Sequence, residues 1–351
     1  MDERSVTPLN YPLHIRGDIN RRGDRVPRGL PRFAGGNRPI SDPSFHLSAN
    51  PATEASTASD HASPSSGRLE LADFLVDPSH GLAARVYVNR VWQWVFGQGL
   101  VRTANDFGHL GEQPSHPKLL DYLTREFIND GWSTKRLIRR LVLSRTFRQT
   151  SDVSAEAAVS DPSNRLLHHY PTRRLEAEAI RDSLLSVSGR FDPALYGKPI
   201  NPSRQVEDAA KRLFSGPLDG EGRRSIYLEV SIMDRSKFLQ SFNSPDPKLP
   251  TGRRDETDVP AQALVMLNDP LVLAMADHWS AQLVADGRST IHDRVEFMFE
   301  KALGRKPDAN ELSRWTSLIK NLSAIDSLAD RDAWRHAAHT MFNLQEFIHY
   351  R

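Results

Sequence analysis

The chain has 351 residues, 38% of them hydrophobic and 26% charged, enough to bury one large core or two small ones, and this composition excludes disorder throughout. With 46 Lys and Arg against 44 Asp and Glu, the formal charge of +2 gives no whole-chain electrostatic case for nucleic acid or an anionic membrane. The lack of cysteine excludes disulfides, thiolate chemistry, cysteine-held metals and C-x-x-C-H haem attachment, and no apolar run reaches the roughly 20 residues that span a bilayer.

The opening residues, MDERSVTPLN, are too polar for a secretory signal. Residues 11–30, YPLHIRGDINRRGDRVPRGL, join a short extended piece at 13–16 to Gly-Asp and Pro turn formers, which predicts an edge strand and loop. Arg16-Gly17-Asp18 is read as a turn tripeptide that arises by chance. Residues 41–67 are rich in Ser, Ala, Pro and Thr and hold few large apolar side chains, so a flexible linker is expected there. A helical pattern resumes at 68–76 and is broken by Asp77-Pro78 and Gly81.

The stretch 85–151 is the densest in aromatics and helix signals. Val88, Val91, Trp92 and Val95 make one helical stripe, with Arg85, Asn89 and Gln93 as a polar row beside it and Gly97 and Gly99 as its stop. Ser115 is the expected N-cap of a second helix, with Pro117 in its first turn, Leu119, Leu120, Leu123 and Phe127 inward, and Gly131 at its close. Ser133 caps a third, which turns Leu137, Ile138, Leu141 and Val142 inward and Lys135, Arg136, Arg139 and Arg140 outward.

At 173–188, Ala177, Ile180, Leu184 and Val187 mark a buried face, while Arg174, Glu178, Arg181 and Asp182 form a charged face suited to intrahelical ion pairs. The alternation of Ile226, Leu228 and Val230 predicts a strand at 224–231 that pairs with the N-terminal extended piece. Asp269 and Pro270 open a helix with Val272, Met275, Ala276, Trp279 and Leu283 inward; another runs from Ile291 to Leu303 and stops at Gly304. Asp308 and Glu311 read as a capping box ahead of Leu312, Trp315, Ile319 and Leu322, and a last helix carries Trp334, Ala338, Met341 and Ile348.

The order of Arg85-Val86, Asn89-Arg90 and Trp92, then Phe96-Gly97-x-Gly99-Leu100-Val101, Asp106-Phe107-Gly108, Gly111-Glu112-x-Pro114-Ser115-His116-Pro117 and Gly131-Trp132-Ser133, resembles the domain-of-unknown-function family 1553. The likeness extends almost to Arg351 through RRLEAEAIRDSLLSVSGRFDPALYGKP and FNSPDPKLPTGRRDETDVPAQALVMLNDP. Two departures stand out: Arg28 lies between Pro27 and Gly29, and Asp258 between Thr257 and Val259. The resemblance implies the C-terminal part of a large planctomycete-type protein that begins with a cytochrome-c-like domain and is exported to the periplasm or cell surface. It carries no established activity. Because Met1 falls almost where the family domain starts, a separated module or a truncated gene product is expected.

Few residues invite chemistry. Glu178 and Asp182, one turn apart, have the spacing of a carboxylate pair for a hard metal or acid–base work, though Arg174 and Arg181 beside them favour an ion-pair row. His336 and His339 lack a third ligand and an H-E-x-x-H frame, so no metal is assigned. His109 and His116 flank Glu112 in a Gly- and Pro-rich loop, the first guess at the wall of an active site. Asp106-Phe107-Gly108 has no glycine-rich nucleotide loop or H-R-D to go with it and is not a kinase magnesium motif. The Arg85, Asn89 and Arg90 cluster is expected to bury its polar groups against backbone carbonyls.

The expected fold is mainly α, a multi-helix bundle or array with a minor short β element. Residues 1–40 form an N-terminal extended segment, 41–67 a linker, and 68–351 a helical domain with lobes at 68–195 and 224–351. The leading functional expectation is a noncatalytic interaction or structural module with protein partners or upstream domains, without cofactor or metal. The rivals are a hydrolase acting on a polymer through Glu112, His116, Glu178 and Asp182, and nucleic-acid binding through the basic helix 134–148.

Overall fold

The computed structural model describes residues 12–25, 68–78, 80–288, 290–325 and 330–350; the expected linker at 41–67 and the Pro27-Arg28-Gly29 departure lie outside them. Among these residues the chain is mainly α, with thirteen α-helices and two small two-stranded sheets. It divides into two compact units, Met1–Arg148 and Gln149–Arg351. The helix that begins at Ala177 buries its apolar face in the core of the second unit.

In the first unit, β1 (Pro12–His14) pairs antiparallel with β2 (Arg22–Arg25), so the N-terminal extended piece finds its partner within its own hairpin. The helices follow as α1 (Arg68–Val76), α2 (Leu82–Phe96), α3 (Pro117–Asn129) and α4 (Thr134–Val142). α2 packs on both α3 and α4. Val88, Val91, Trp92 and Phe96 meet Leu120, Leu123, Phe127, Leu137 and Leu141 in a core of buried side chains, whereas Ile138, expected inward, is exposed. The Phe127 ring stacks on Tyr87 at 5.2 Å and takes the edge of Trp132 at 5.2 Å. Trp132 itself is half-buried, at φ 60, in the turn after Gly131 that reverses the chain between α3 and α4.

The polar row of α2 is not solvated. Asn89 and Gln93 are buried, and Asn89 Nδ2 donates to Val101 O at 3.0 Å while Val101 N donates to Asn89 Oδ1 at 2.8 Å. The carboxamide therefore stands in for a strand neighbour and pins the loop after the helix; of the expected Arg85, Asn89 and Arg90 cluster it is Asn89 that does this, whereas Arg90 is exposed and Arg85 pairs with Asp121. Gly99 makes this possible, since a Cβ there would sit 2.6 Å from Asn89 Nδ2.

In the second unit come α5 (Ala155–Ser160), β3 (Arg173–Arg174), α6 (Ala177–Val187), α7 (Lys237–Ser241), α8 (Pro260–Asn268), α9 (Pro270–Ala285), α10 (Ile291–Leu303), α11 (Ala309–Ser323), α12 (Asp330–Phe342), α13 (Gln345–Ile348) and β4 (His349–Tyr350). α9 and α12 share the most extensive helix–helix contact, in which Trp279 stacks on Phe342 at 5.3 Å. Around them Ile180, Leu184, Met275, Val295, Phe299, Ile319 and Trp334 close one core. The helix starts follow the sequence signals: Asp269 accepts from Leu271 N at 2.9 Å, and Asp308 and Glu311 form a reciprocal capping box. β4 pairs antiparallel with β3, and Leu175 N donates to Ile348 O at 2.7 Å.

The strand expected at 224–231 is absent. Ser225–Tyr227 is a single 3-10 turn, and the segment touches extended backbone only at a bridge from Leu228 to Ile200. Leu228 is buried, but Ile226 and Val230 are exposed at 74% and 67%, so their alternation faces no second apolar layer. What fixes this segment is a set of polar contacts with α6.

Candidate functional site

α6 carries two of the sequence-derived candidates and one residue whose role the sequence hid. Arg181, read as part of a charged outer face, is only 3% exposed. Its Nη1 donates to Arg223 O at 2.9 Å and Ser225 Oγ at 3.1 Å, and its Nη2 to Asp219 O at 2.7 Å. Burial lowers the Arg181 pKa from its ordinary value, and the charges of Asp182 and Asp219 act in the opposite direction. The clue was Leu185, fully buried and one turn along the same helical face.

Asp182 Oδ1 accepts from Ser225 N at 2.8 Å and from Ser225 Oγ at 2.7 Å, and Oδ2 lies 3.8 Å from Arg224 Nε. Glu178 Oε2 pairs with Arg254 Nη1 at 2.5 Å, and Glu176 stands 3.4 Å from the same guanidinium. Burial works against the Arg254 charge, but its hydrogen bond to Glu178 and the charges of Glu178 and Glu176 outweigh it and raise the pKa. Apart from the Arg181–Asp182 contact at 3.6 Å, the ion pairs of this face reach across to loops. Arg174 precedes α6, in β3, where it donates to Phe242 O and Asn243 Oδ1.

Glu178 and Asp182 line the same open cleft, of ≈ 990 Å³, together with Arg224, Arg235, Asp246 and Arg254. Ile226, Val230 and Leu249 give it an apolar margin. A second cleft, of ≈ 480 Å³, shares Pro202, Leu228, Arg235 and Ser236 with the first. Among the described residues there is no group of three or more His, Asp or Glu side chains placed to hold a metal ion.

The other two candidates, Glu112 and His116, belong to the first unit, while Glu178 and Asp182 belong to the second. Glu112 is exposed, and its backbone N–H donates to Thr103 Oγ1 at 3.0 Å. His116, rather than Ser115, is the N-cap of α3, and its Nδ1 lies 3.0 Å from Ser115 Oγ. Ser115 is drawn away from the cap because its N–H donates to Leu100 O at 2.8 Å. The loop folds on itself through Asp106, whose side chain accepts from Gly108 N at 2.8 Å and whose carbonyl accepts from Thr103 Oγ1 at 2.8 Å. Asp106-Phe107-Gly108 is thus an Asx turn.

On α4, Arg140 pairs with Glu126 at 2.9 Å and Asp130 at 3.3 Å, and Arg136 with Asp130 at 3.6 Å, so part of the basic face turns to α3. Lys135 and Arg139 remain exposed. His339 Nε2 lies 3.2 Å from Met266 O, and His336 is exposed.

Compared with known proteins, residues 67–319 match the model of a family described as PSD1, Protein of unknown function (DUF1553). No curated protein and no solved structure matches the chain.

Proposed function

The chain belongs to the DUF1553 family of proteins of unknown function, and we propose that it is a noncatalytic interaction module of a larger exported protein that carries a cytochrome-c-like domain upstream. The observation that carries this reading is the engagement of Asp182 and Glu178, two of the carboxylates that line the larger cleft, by protein donors. Asp182 accepts two hydrogen bonds from Ser225, and Glu178 is paired with Arg254. These contacts tie the loops to α6, whereas an acid–base catalyst needs its oxygens turned to a reacting atom. The exposed margin of Ile226, Val230 and Leu249 offers apolar area of the kind a protein partner covers. The motif order shared with the family supports the larger, exported setting.

Crosslinking with mass spectrometry against cytochrome-bearing relatives tests this reading. Crosslinks should concentrate on Lys237 and Lys248, beside the clefts; a chain inert toward those proteins overturns it. Nucleic acid is no part of the reading, and the chain should pass unretained over duplex DNA at low salt.

One observation favours a polymer-acting hydrolase instead: Glu178 and Asp182, one helical turn apart, face a common cleft of ≈ 990 Å³, a volume suited to a substrate. Turnover of a polysaccharide or peptide panel that disappears in both Glu178→Gln and Asp182→Asn would replace the module reading with this one.

A further inference from the structure

The smaller cleft of the second unit is chemically unlike its neighbour. Five cationic side chains line it, Arg181, Arg204, Lys211, Arg235 and Lys237, against the carboxylates of Asp208, Asp234 and Asp269. Several of these charges are already used. Arg181 is held by loop carbonyls, Lys211 pairs with Asp208 at 2.7 Å, and Arg204 Nη1 lies 3.2 Å from Asp234. Asp269 serves as the α9 cap, where it accepts from Leu271 N at 2.9 Å.

Two cations remain with no carboxylate partner among the described residues. Arg235 donates only to Pro245 O, at 3.4 Å, and Lys237 Nζ only to Gln205 Oε1, at 3.1 Å. The Arg204 side chain is just 3% exposed, and its buried Nε has no hydrogen-bond partner. An atom so covered lies behind the cleft wall, and Arg204 contributes its positive charge there rather than a direct contact. The remaining wall is apolar, with Leu213, Leu228, Met233, Phe238 and Leu271. At ≈ 480 Å³ the cleft has the volume of a small-molecule site rather than a polymer groove.

We infer that this cleft binds a small organic oxyanion, its charged end held by Arg235 and Lys237 and its apolar body against Leu213, Leu228 and Met233. Guanidinium and ammonium groups with spare donors fit a carboxylate, phosphate or sulfate head. The greasy wall selects for a ligand with a hydrocarbon part over the bare inorganic ion. This goes beyond the module reading and does not depend on it.

Isothermal titration of the full chain with inorganic phosphate, phenyl phosphate and benzoate tests the inference, with circular dichroism to verify the fold of each variant. Phenyl phosphate should bind more tightly than inorganic phosphate. Arg235→Gln and Lys237→Gln should each weaken it about tenfold, about 1.4 kcal/mol, through loss of a charge-assisted hydrogen bond. Arg139→Gln, on the exposed face of α4, should leave binding unchanged. The inference is overturned by no heat with any of the three probes at millimolar concentration. It is equally overturned by retained affinity in both cleft variants, or by an Arg139→Gln loss equal to theirs, which marks binding to surface cations in general.

Discussion

Asn89 and Val101 exchange two hydrogen bonds, at 3.0 and 2.8 Å, so that a side chain inside α2 completes the backbone of the loop that follows it. Asn89→Ala leaves a buried N–H and a buried C=O without partners. The loss should be roughly 2–4 kcal/mol, seen as a lower denaturation midpoint for the unit that holds Trp92. Asn89→Asp keeps the acceptor but sets a buried carboxylate oxygen against Val101 O, and should cost at least as much as Asn89→Ala.

Arg181 holds three loop acceptors from a position on α6 that is almost closed to solvent. Arg181→Met retains the length and apolar stem but orphans those acceptors. Destabilisation of about 3 kcal/mol or more is expected, with faster hydrogen exchange at 219–228. Arg181→Lys should recover only part of this, because a single ammonium cannot span the forked arrangement. Equal exchange rates in wild type and Arg181→Met would mean that the loop is held some other way.

Glu178→Gln should behave differently. Its pair with Arg254 is formed by two side chains each 32% exposed, where ion pairs contribute little. A change below about 1 kcal/mol, shrinking further with added salt, is expected in chemical denaturation. A larger loss would show that this pair, like Arg181, anchors the fold.

Arg305 sets the acid response of the C-terminal helices. Its guanidinium donates to Glu311 and Glu346, and it holds the Glu311 carboxyl down at about 2. A carboxyl depressed in the folded state adds stability that is complete above its ordinary value of 4.5 and disappears as the pH falls toward about 2. Glu311→Gln should therefore lower stability at neutral pH and flatten its decline across that acid window, as followed by urea midpoints at successive pH values. A parallel decline in wild type and variant would remove Glu311 from the account.

Trp279 is fully buried, and its indole N–H has no hydrogen-bond partner. Trp279→Phe loses packing against Phe342 but also removes an unpaired donor, so its cost should be well below the roughly 3–5 kcal/mol expected for Trp279→Ala. Thermal melts of the two variants, compared directly, check this.

Helix periodicity and end signals were legible because they depend on near neighbours in the chain. Asp269-Pro270 and the Asp308 and Glu311 box needed no knowledge of the fold, and Val272, Met275 and Trp279 repeat every turn or so. The 224–231 segment misled because alternation marks a strand only where a second layer covers one face. Here Ile226 and Val230 point to solvent, and hydrogen bonds from Arg181 and to Asp182 set the backbone. The burial of Arg181 was hidden for the same reason, since its partners lie some 40 positions further along. Glu178 and Asp182 line one cleft, and their linear neighbourhood gives no information about the loops that form it.

The pairing of β3 with β4 has a bearing on biosynthesis. Arg173 and Arg174 must wait for His349 and Tyr350, which are synthesised long after them, before their ladder can close. Contacts among α2, α3 and α4 span a much shorter stretch, so the first unit can mature while translation continues. The small sheet of the second unit stays unpaired until His349 and Tyr350 clear the ribosome, and β3 is a lone strand in that interval.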